Sequence, residues 1–97
     1  MKRHVGNLAL LYLARNPGFE NRIAYGDLFR ALRLPEGTAL QQRISEKRAH
    51  GYEIRTVEEK RADGVTFVLY WMPVREAKRV LRIAEAGMLS ARQKVAA

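Results

Sequence analysis

The sequence predicts a single small α+β domain, and two features carry this prediction. Three segments in the first half of the chain have the apolar spacing and the terminal residues of short α-helices. Two segments of alternating apolar and polar residues follow around Asp63-Gly64, as in a β-hairpin. With 97 residues, the chain is long enough for one hydrophobic core and too short for two.

The first two helices are predicted over residues 4–15 and 24–32. Asn16-Pro17-Gly18 ends the first helix, because proline disfavours the helical conformation of the residue before it. Pro35 and Gly37 interrupt the pattern after the second. The apolar residues of the first helix fall on one face: Val5, Leu8, Leu11 and Tyr12.

A third helix is predicted over residues 39–50, with Thr38 as its N-cap and Gly51 as the residue that ends it. Leu40 and Ile44 form an apolar pair at i and i+4, and most other positions are polar. This helix is therefore expected to bury one narrow stripe and to expose the rest of its surface.

The hairpin is predicted to have two strands, residues 52–57 and 65–71, joined by a turn over residues 61–64. Large aromatic side chains are usually buried. Those of the hairpin are expected to pack on the first and third helices: Tyr52, Phe67, Tyr70 and Trp71.

After Pro73 a helical pattern returns, so residues 1–73 are expected to form the domain and residues 74–97 an added C-terminal helix. Its apolar residues recur at heptad spacing: Val74, Ala77, Leu81, Ala84 and Met88. This seam packs either on the domain or on a second copy, and the additional apolar residues Val80, Ile83 and Leu89 favour a homodimer. The other side is basic, and is either a phosphate-binding stripe or an ordinary solvated face: Arg75, Lys78, Arg79 and Arg82.

The formal net charge of +8 indicates an anionic partner, of which nucleic-acid phosphates are the commonest. The excess lies at the two ends: residues 1–22 carry four basic and one acidic side chain, and residues 75–97 carry six and two. Residues 23–74 carry eight and seven, so the third helix and the hairpin do not themselves form a strongly basic patch.

Several classes of function are not expected. The chain has no cysteine and only two distant histidines, His4 and His50, so neither a disulfide framework nor a metal site is indicated. It also lacks the sequence motifs of nucleotide binding and of catalysis, so no enzyme, catalytic residue or cofactor is expected. The longest apolar run, residues 8–14, is shorter than the roughly 20 residues that span a membrane, and Lys2-Arg3 lacks a signal-peptide pattern. We expect a cytoplasmic, nucleoid-associated protein without a membrane partner.

The chain resembles the winged helix-turn-helix regulators of phages, prophages and bacteria, in which a helix reading RISELR leads to GYxI and a wing ending near YWL. The similar residues are Arg43-Ile44-Ser45, Arg48, Gly51-Tyr52, Ile54-Arg55-Thr56, Gly64-Val65 and Tyr70-Trp71-Met72. The resemblance covers about residues 7 to 72 and implies three helices, a two-stranded wing and a DNA-binding role in transcription or phage replication. Two departures stand out. Lys47 replaces a core leucine, which indicates either a snorkelling lysine or a shifted helix register, and Pro35-Glu36-Gly37 lengthens the turn before the third helix.

If Leu40 and Ile44 point inward, the polar side of the third helix would face the major groove of double-stranded DNA. Gln41 and Gln42 can form bidentate hydrogen bonds with adenine, and arginine can bind phosphate or guanine. At the wing, Lys60 and Arg61 could meet the DNA backbone, although Glu58 and Glu59 beside them would repel it. The predicted DNA-binding residues are Thr38, Gln41, Gln42, Arg43, Ser45, Arg48, Lys60 and Arg61.

Two functions remain. The first is a small sequence-specific DNA-binding regulator of phage or prophage origin. The second is a protein-binding winged helix, a phage-type inhibitor or adaptor of a host or viral complex, which the near-neutral middle of the chain favours.

Overall fold

The computed structural model describes residues 4–88, and over this range the fold is α+β, as predicted. Four α-helices and a three-stranded antiparallel sheet are present. The elements are α1 (Val5–Arg15), β1 (Ile23–Ala24), α2 (Tyr25–Ala31), α3 (Leu40–Ala49), β2 (Arg55–Lys60), β3 (Thr66–Trp71) and α4 (Val74–Glu85). Lys2, Arg3, Leu89 and the end of the predicted C-terminal helix lie outside the described residues.

Helix α1 lies at the centre of the molecule and packs against both α3 and α4. Its sequence is apolar almost throughout, so it has little solvated surface. Leu10 and Leu13 are fully buried, as are Leu28 of α2 and Val80 of α4. One core therefore joins all four helices to the inner face of the sheet.

The strand order is β1-β3-β2, so the sheet has one strand more than the two predicted. β1 consists of two residues, Ile23 paired with Tyr70 and Ala24 paired with Leu69. Two residues are too few to show an alternating pattern, so the sequence predicts a helix from residue 24, and α2 begins one residue later. β2 begins at Arg55, three residues later than predicted, and pairs with β3 from Arg55 opposite Trp71 to Lys60 opposite Thr66.

The turn between β2 and β3 forms where the sequence predicts it. The amide of Gly64 donates to the carbonyl of Arg61 at 2.9 Å, and the amide of Arg61 donates to the carbonyl of Val65 at 2.8 Å. Gly64 has a φ of 88°, the left-handed conformation that glycine adopts without strain. The carboxylate of Asp63 also accepts a hydrogen bond from the amide of Val65.

The residues that flank α3 determine where the helix begins and ends, but Thr38 does not act as its N-cap. The Thr38 hydroxyl donates to the carbonyl of Pro35 at 2.7 Å, and Ala39 takes the cap position without a side-chain hydrogen bond. The local turn at Pro35 thus competes successfully for the hydroxyl. At the other end the prediction is confirmed: Gly51 has a φ of 96°, and the amide of Tyr52 donates to the carbonyl of Lys47.

The predicted seam of α4 is used largely within the chain. Ala77 is buried, and Leu81 and Ala84 are half-buried against the core. Val74 and Met88, the two ends of the seam, are exposed. Much of the apolar surface that favoured a homodimer from the sequence therefore faces the chain's own core.

Candidate nucleic-acid interface

Helix α3 presents a broad polar surface to solvent. Only Leu40 and Ile44 of its residues are buried, so the helix is held by one stripe, as predicted. Gln41, Ser45 and Arg48 are exposed and lie at spacings of four and three, which aligns them along the helix axis. Gln42 is exposed on the adjacent stripe. Four of the predicted DNA-binding side chains therefore form one contiguous surface.

The two other predicted residues near this helix lie on its flank towards α1. Thr38 and Arg43 line a groove of about 520 Å³ between α3 and the start of α1. Arg43 also forms an ion pair with Glu46 at 2.9 Å, which compensates its charge. The structure therefore separates Thr38 and Arg43 from the stripe that carries Gln41.

Arg48 is exposed, and it also forms a hydrogen bond that supports the fold. Its Nε donates to the carbonyl of Ile54 at 2.8 Å, which ties the end of α3 to the start of β2. The pKa of the buried Tyr70 hydroxyl is raised by burial, and the charge of Arg48 opposes this rise. Because Nε bonds Ile54, one edge of the Arg48 guanidinium is already occupied by a hydrogen bond within the chain.

Lys47 is the snorkelling lysine that the sequence allowed, and the helix register is not shifted, since Leu40 and Ile44 are both buried. A Cβ on Gly6 of α1 would lie 2.8 Å from the Cε of Lys47 and 3.2 Å from its Cγ, so the aliphatic stem occupies the space above this glycine. The ammonium lies 5.7 Å from the centre of the Tyr52 ring. Burial lowers the pKa of Lys47, and Glu46 opposes this shift.

We expect that the stem of Lys47 contributes more to stability than its charge. Lys47→Ala should lower the free energy of unfolding by about 1 to 2 kcal/mol, since each buried methylene contributes about 0.8 kcal/mol. Lys47→Met keeps the stem and should lose less than about 1 kcal/mol, the usual size of an exposed cation–π contact. Urea unfolding of both variants, with Lys78→Met as the exposed control, measures the difference. Equal losses in the alanine and methionine variants would contradict the packing role.

The hairpin tip carries Lys60 and Arg61, both exposed. Arg61 is oriented by Asp63 at 3.1 Å, and its guanidinium lies 5.8 Å from the centre of the Phe67 ring. Of the two glutamates beside the tip, Glu59 is paired with Arg22 at 2.5 Å. Sequence reasoning missed this pairing, because the partners are 37 residues apart. The pairing reduces the repulsion that two carboxylates would exert on a phosphate.

A buried carboxylate joins α4 to the loop after α3. Glu76 is 6% exposed, accepts two hydrogen bonds from Arg79 at 2.8 Å, and accepts one from the amide of Glu53 at 2.9 Å. Arg79 also donates to the carbonyl of Gly51, and Arg75 pairs with Glu53. Arg75 and Arg79 of the predicted basic stripe thus bond within the chain, although both are exposed. Lys78 and Arg82, the other two members, are also exposed.

The aromatic residues of the hairpin do not all pack on the helices, which corrects the expectation. Val68 and Tyr70 face the helical core, so Phe67, Leu69 and Trp71 lie on the opposite, outer face of β3. There the Trp71 ring contacts Phe19 edge to face at 5.5 Å, and the guanidinium of Arg55 lies 5.6 Å from its centre. The alternation of β3 shows which aromatic side chains share a face, but the sequence does not show which of the two faces the helices cover.

Comparisons with protein-family models, curated proteins and solved structures find no match to this chain. None of the helices within residues 4–88 has the length and apolar character needed to cross a membrane. In the same range, no group of three or more acidic or histidine side chains is arranged to hold a metal ion.

Proposed function

We propose that the chain is a winged helix-turn-helix protein that binds double-stranded DNA through α3. The order of elements supports the fold: a short strand lies between α1 and α2, and a hairpin follows α3 and pairs with that strand. The exposed stripe of Gln41, Ser45 and Arg48 carries the functional proposal, because a polar helix held by two buried residues can enter a major groove.

In this proposal the interface has separate parts for reading bases and for binding the backbone. Gln41 and Gln42 read base edges, and Arg48 reaches the DNA with the edge of its guanidinium that does not bond Ile54. Lys60 and Arg61 bind phosphates from the hairpin tip. Thr38 and Arg43 contribute at the flank, where Arg43 must share its charge with Glu46.

The double variant Gln41→Ala/Gln42→Ala tests the reading role. On a site selected from a random duplex library, it should lose about 1 to 3 kcal/mol of binding free energy for each bidentate pair that is removed. Binding to unrelated duplex DNA should hardly change, since phosphate contacts supply it. Fluorescence anisotropy with labelled duplexes measures both affinities.

Glu85→Ala, an exposed position on α4, serves as the matched control and should behave as wild type on both duplexes. Equal losses on selected and unrelated DNA would exclude base reading by these two glutamines. A library selection that enriches no sequence would exclude specific DNA binding as a whole.

The second candidate is a winged helix that binds a protein through the same surface. It is favoured by the compensated cations around α3 and the hairpin, where Arg43, Arg61 and Arg22 each pair with a carboxylate. The salt dependence of DNA binding separates the two candidates: a DNA-binding protein loses affinity steeply as salt rises, and an adaptor shows only weak nonspecific binding. Homodimerisation through the exposed ends of the α4 seam stays a prediction.

A further inference from the structure

The outer edge of β2 is open. In the sheet order β1-β3-β2, no strand within residues 4–88 pairs with this edge. The amide of Arg61 donates a hydrogen bond to the carbonyl of Val65, so these two residues form a hydrogen-bonded pair. Such pairs recur at every second residue of an antiparallel ladder, so Val57 and Leu69 also form one. The backbone groups of Thr56, Glu58 and Lys60 therefore point away from the sheet, where a further strand could bond to them.

Charged residues on an edge strand usually prevent pairing with another chain. Here their order is self-complementary. Five residues at a spacing of two read Glu, Arg, Val, Glu, Arg: Glu53, Arg55, Val57, Glu59 and Arg61. The middle three lie on the outer face of β2, and the first and last lie just outside the strand. In an antiparallel pair with a two-fold axis at Val57, every glutamate of this row lies opposite an arginine of the second copy.

The backbone agrees with this register. A two-fold axis at Val57 places this residue opposite Val57 of the second copy. Because the amide and carbonyl of Val57 point towards β3, the two valines form a non-hydrogen-bonded pair, in which opposing side chains approach most closely. Arg55 then also lies opposite Glu59 of the second copy in a close pair, and Thr56 exchanges backbone hydrogen bonds with Glu58 of the second copy.

Neighbouring registers are unfavourable. A two-fold axis at Glu58 places that carboxylate opposite its own copy, and an axis at Thr56 places Glu53 opposite Glu59 of the second copy. Like charges directly opposite each other destabilise a strand pair. The sequence of the edge therefore selects the register centred on Val57.

We propose that two copies of the chain associate by antiparallel pairing of their β2 strands about Val57, which forms a continuous six-stranded sheet. The intrachain partners of the row do not prevent this association, since Arg55 and Glu59 have side chains that are 51% and 33% exposed and can bind across the new interface. The outer faces, with Leu69 and Trp71, become continuous in the dimer. This inference is independent of the DNA-binding proposal.

Charge reversal tests the register. Arg55→Glu and Glu59→Arg each place two pairs of like charges opposite one another across the dimer interface. The dissociation constant of each variant's homodimer should therefore rise by about tenfold or more. An equimolar mixture of the two variants restores both pairs and should form a heterodimer, as should the double variant with itself. Sedimentation velocity over a concentration series, with one variant carrying a mass tag, measures these species.

Glu58→Pro provides a test at the backbone. The amide of Glu58 points away from β3, so proline removes an intermolecular donor and leaves the ladder within the chain intact. The variant should be monomeric, with the circular dichroism spectrum of wild type. A wild-type protein that is monomeric across the concentration series overturns the proposal. So does a dimer that survives Glu58→Pro and both charge reversals, because another surface must then form it.

Discussion

Replacing Ile44 with alanine is expected to lower the free energy of unfolding by about 2 to 5 kcal/mol. Ile44 is 1% exposed and is one of only two buried residues of α3. The loss includes the transfer of the removed methyl groups and the cavity left between α3 and the core. Because a domain of this size is stabilised by only about 5 to 15 kcal/mol, the change should be large in urea unfolding monitored by circular dichroism.

Ser45→Ala is the matched control, since it changes the adjacent, exposed position of the same helix. Its effect should stay within about 0.5 kcal/mol, as for most surface substitutions. An Ile44→Ala protein as stable as this control would mean that α3 packs on the core through a different stripe.

Glu76→Gln is expected to lower the free energy of unfolding by about 1 to 3 kcal/mol at neutral pH. The carboxylate accepts two hydrogen bonds from Arg79 and one from the amide of Glu53, and its side chain is 8% exposed. The amide of glutamine has a single acceptor oxygen and no charge, so it cannot reproduce this set. Glu85→Gln, an exposed position on the same helix, should remain close to wild type in the same measurement.

The effect should also depend on pH. The pKa of Glu76 is lowered, mainly by the hydrogen bonds from Arg79, while burial opposes the shift and the amide of Glu53 adds to it. A lowered pKa in the folded state stabilises the fold above the ordinary glutamate pKa of about 4.3. The stability difference between wild type and Glu76→Gln should therefore shrink as the pH falls through the lowered value. A difference that stays constant down to the acid transition would show that Glu76 acts only through packing.

The helices could be predicted from the sequence because their signals are local. The spacing of apolar residues and the glycine at position 51 placed α3 within one residue at each end. The resemblance also singles out Lys47, because this lysine stands where a core leucine is usual, and it leaves open a snorkelling lysine or a shifted register. The contact of Lys47 with Gly6 could not be predicted, because the approach of α1 to α3 depends on the whole core.

The parts that could not be predicted depend on long-range contacts. The start of β2 is displaced because the bond from Arg48 to Ile54 and the bond from Arg79 to Gly51 hold the preceding loop. In the sequence Glu76 looks like an ordinary acidic residue in the first turn of a helix, and the amide that bonds its carboxylate belongs to Glu53, 23 residues earlier in the chain. On α3 the sequence correctly predicts which side is exposed, at Gln41, Gln42 and Ser45, and the role of these residues in binding stays a prediction.

The two bonds that fasten the loop after α3 also bear on how the helix would recognise a partner. Arg48 secures it from within α3, and Arg79 reaches the same loop from α4. A recognition element that is already immobile loses little conformational entropy when it meets its target. Amide hydrogens in residues 47–54 should therefore exchange slowly in the free protein, with little further slowing in a complex. Affinity would then depend on the fit of a rigid surface, and a partner to which that surface does not fit would be rejected by its shape and not by the entropy of ordering the loop.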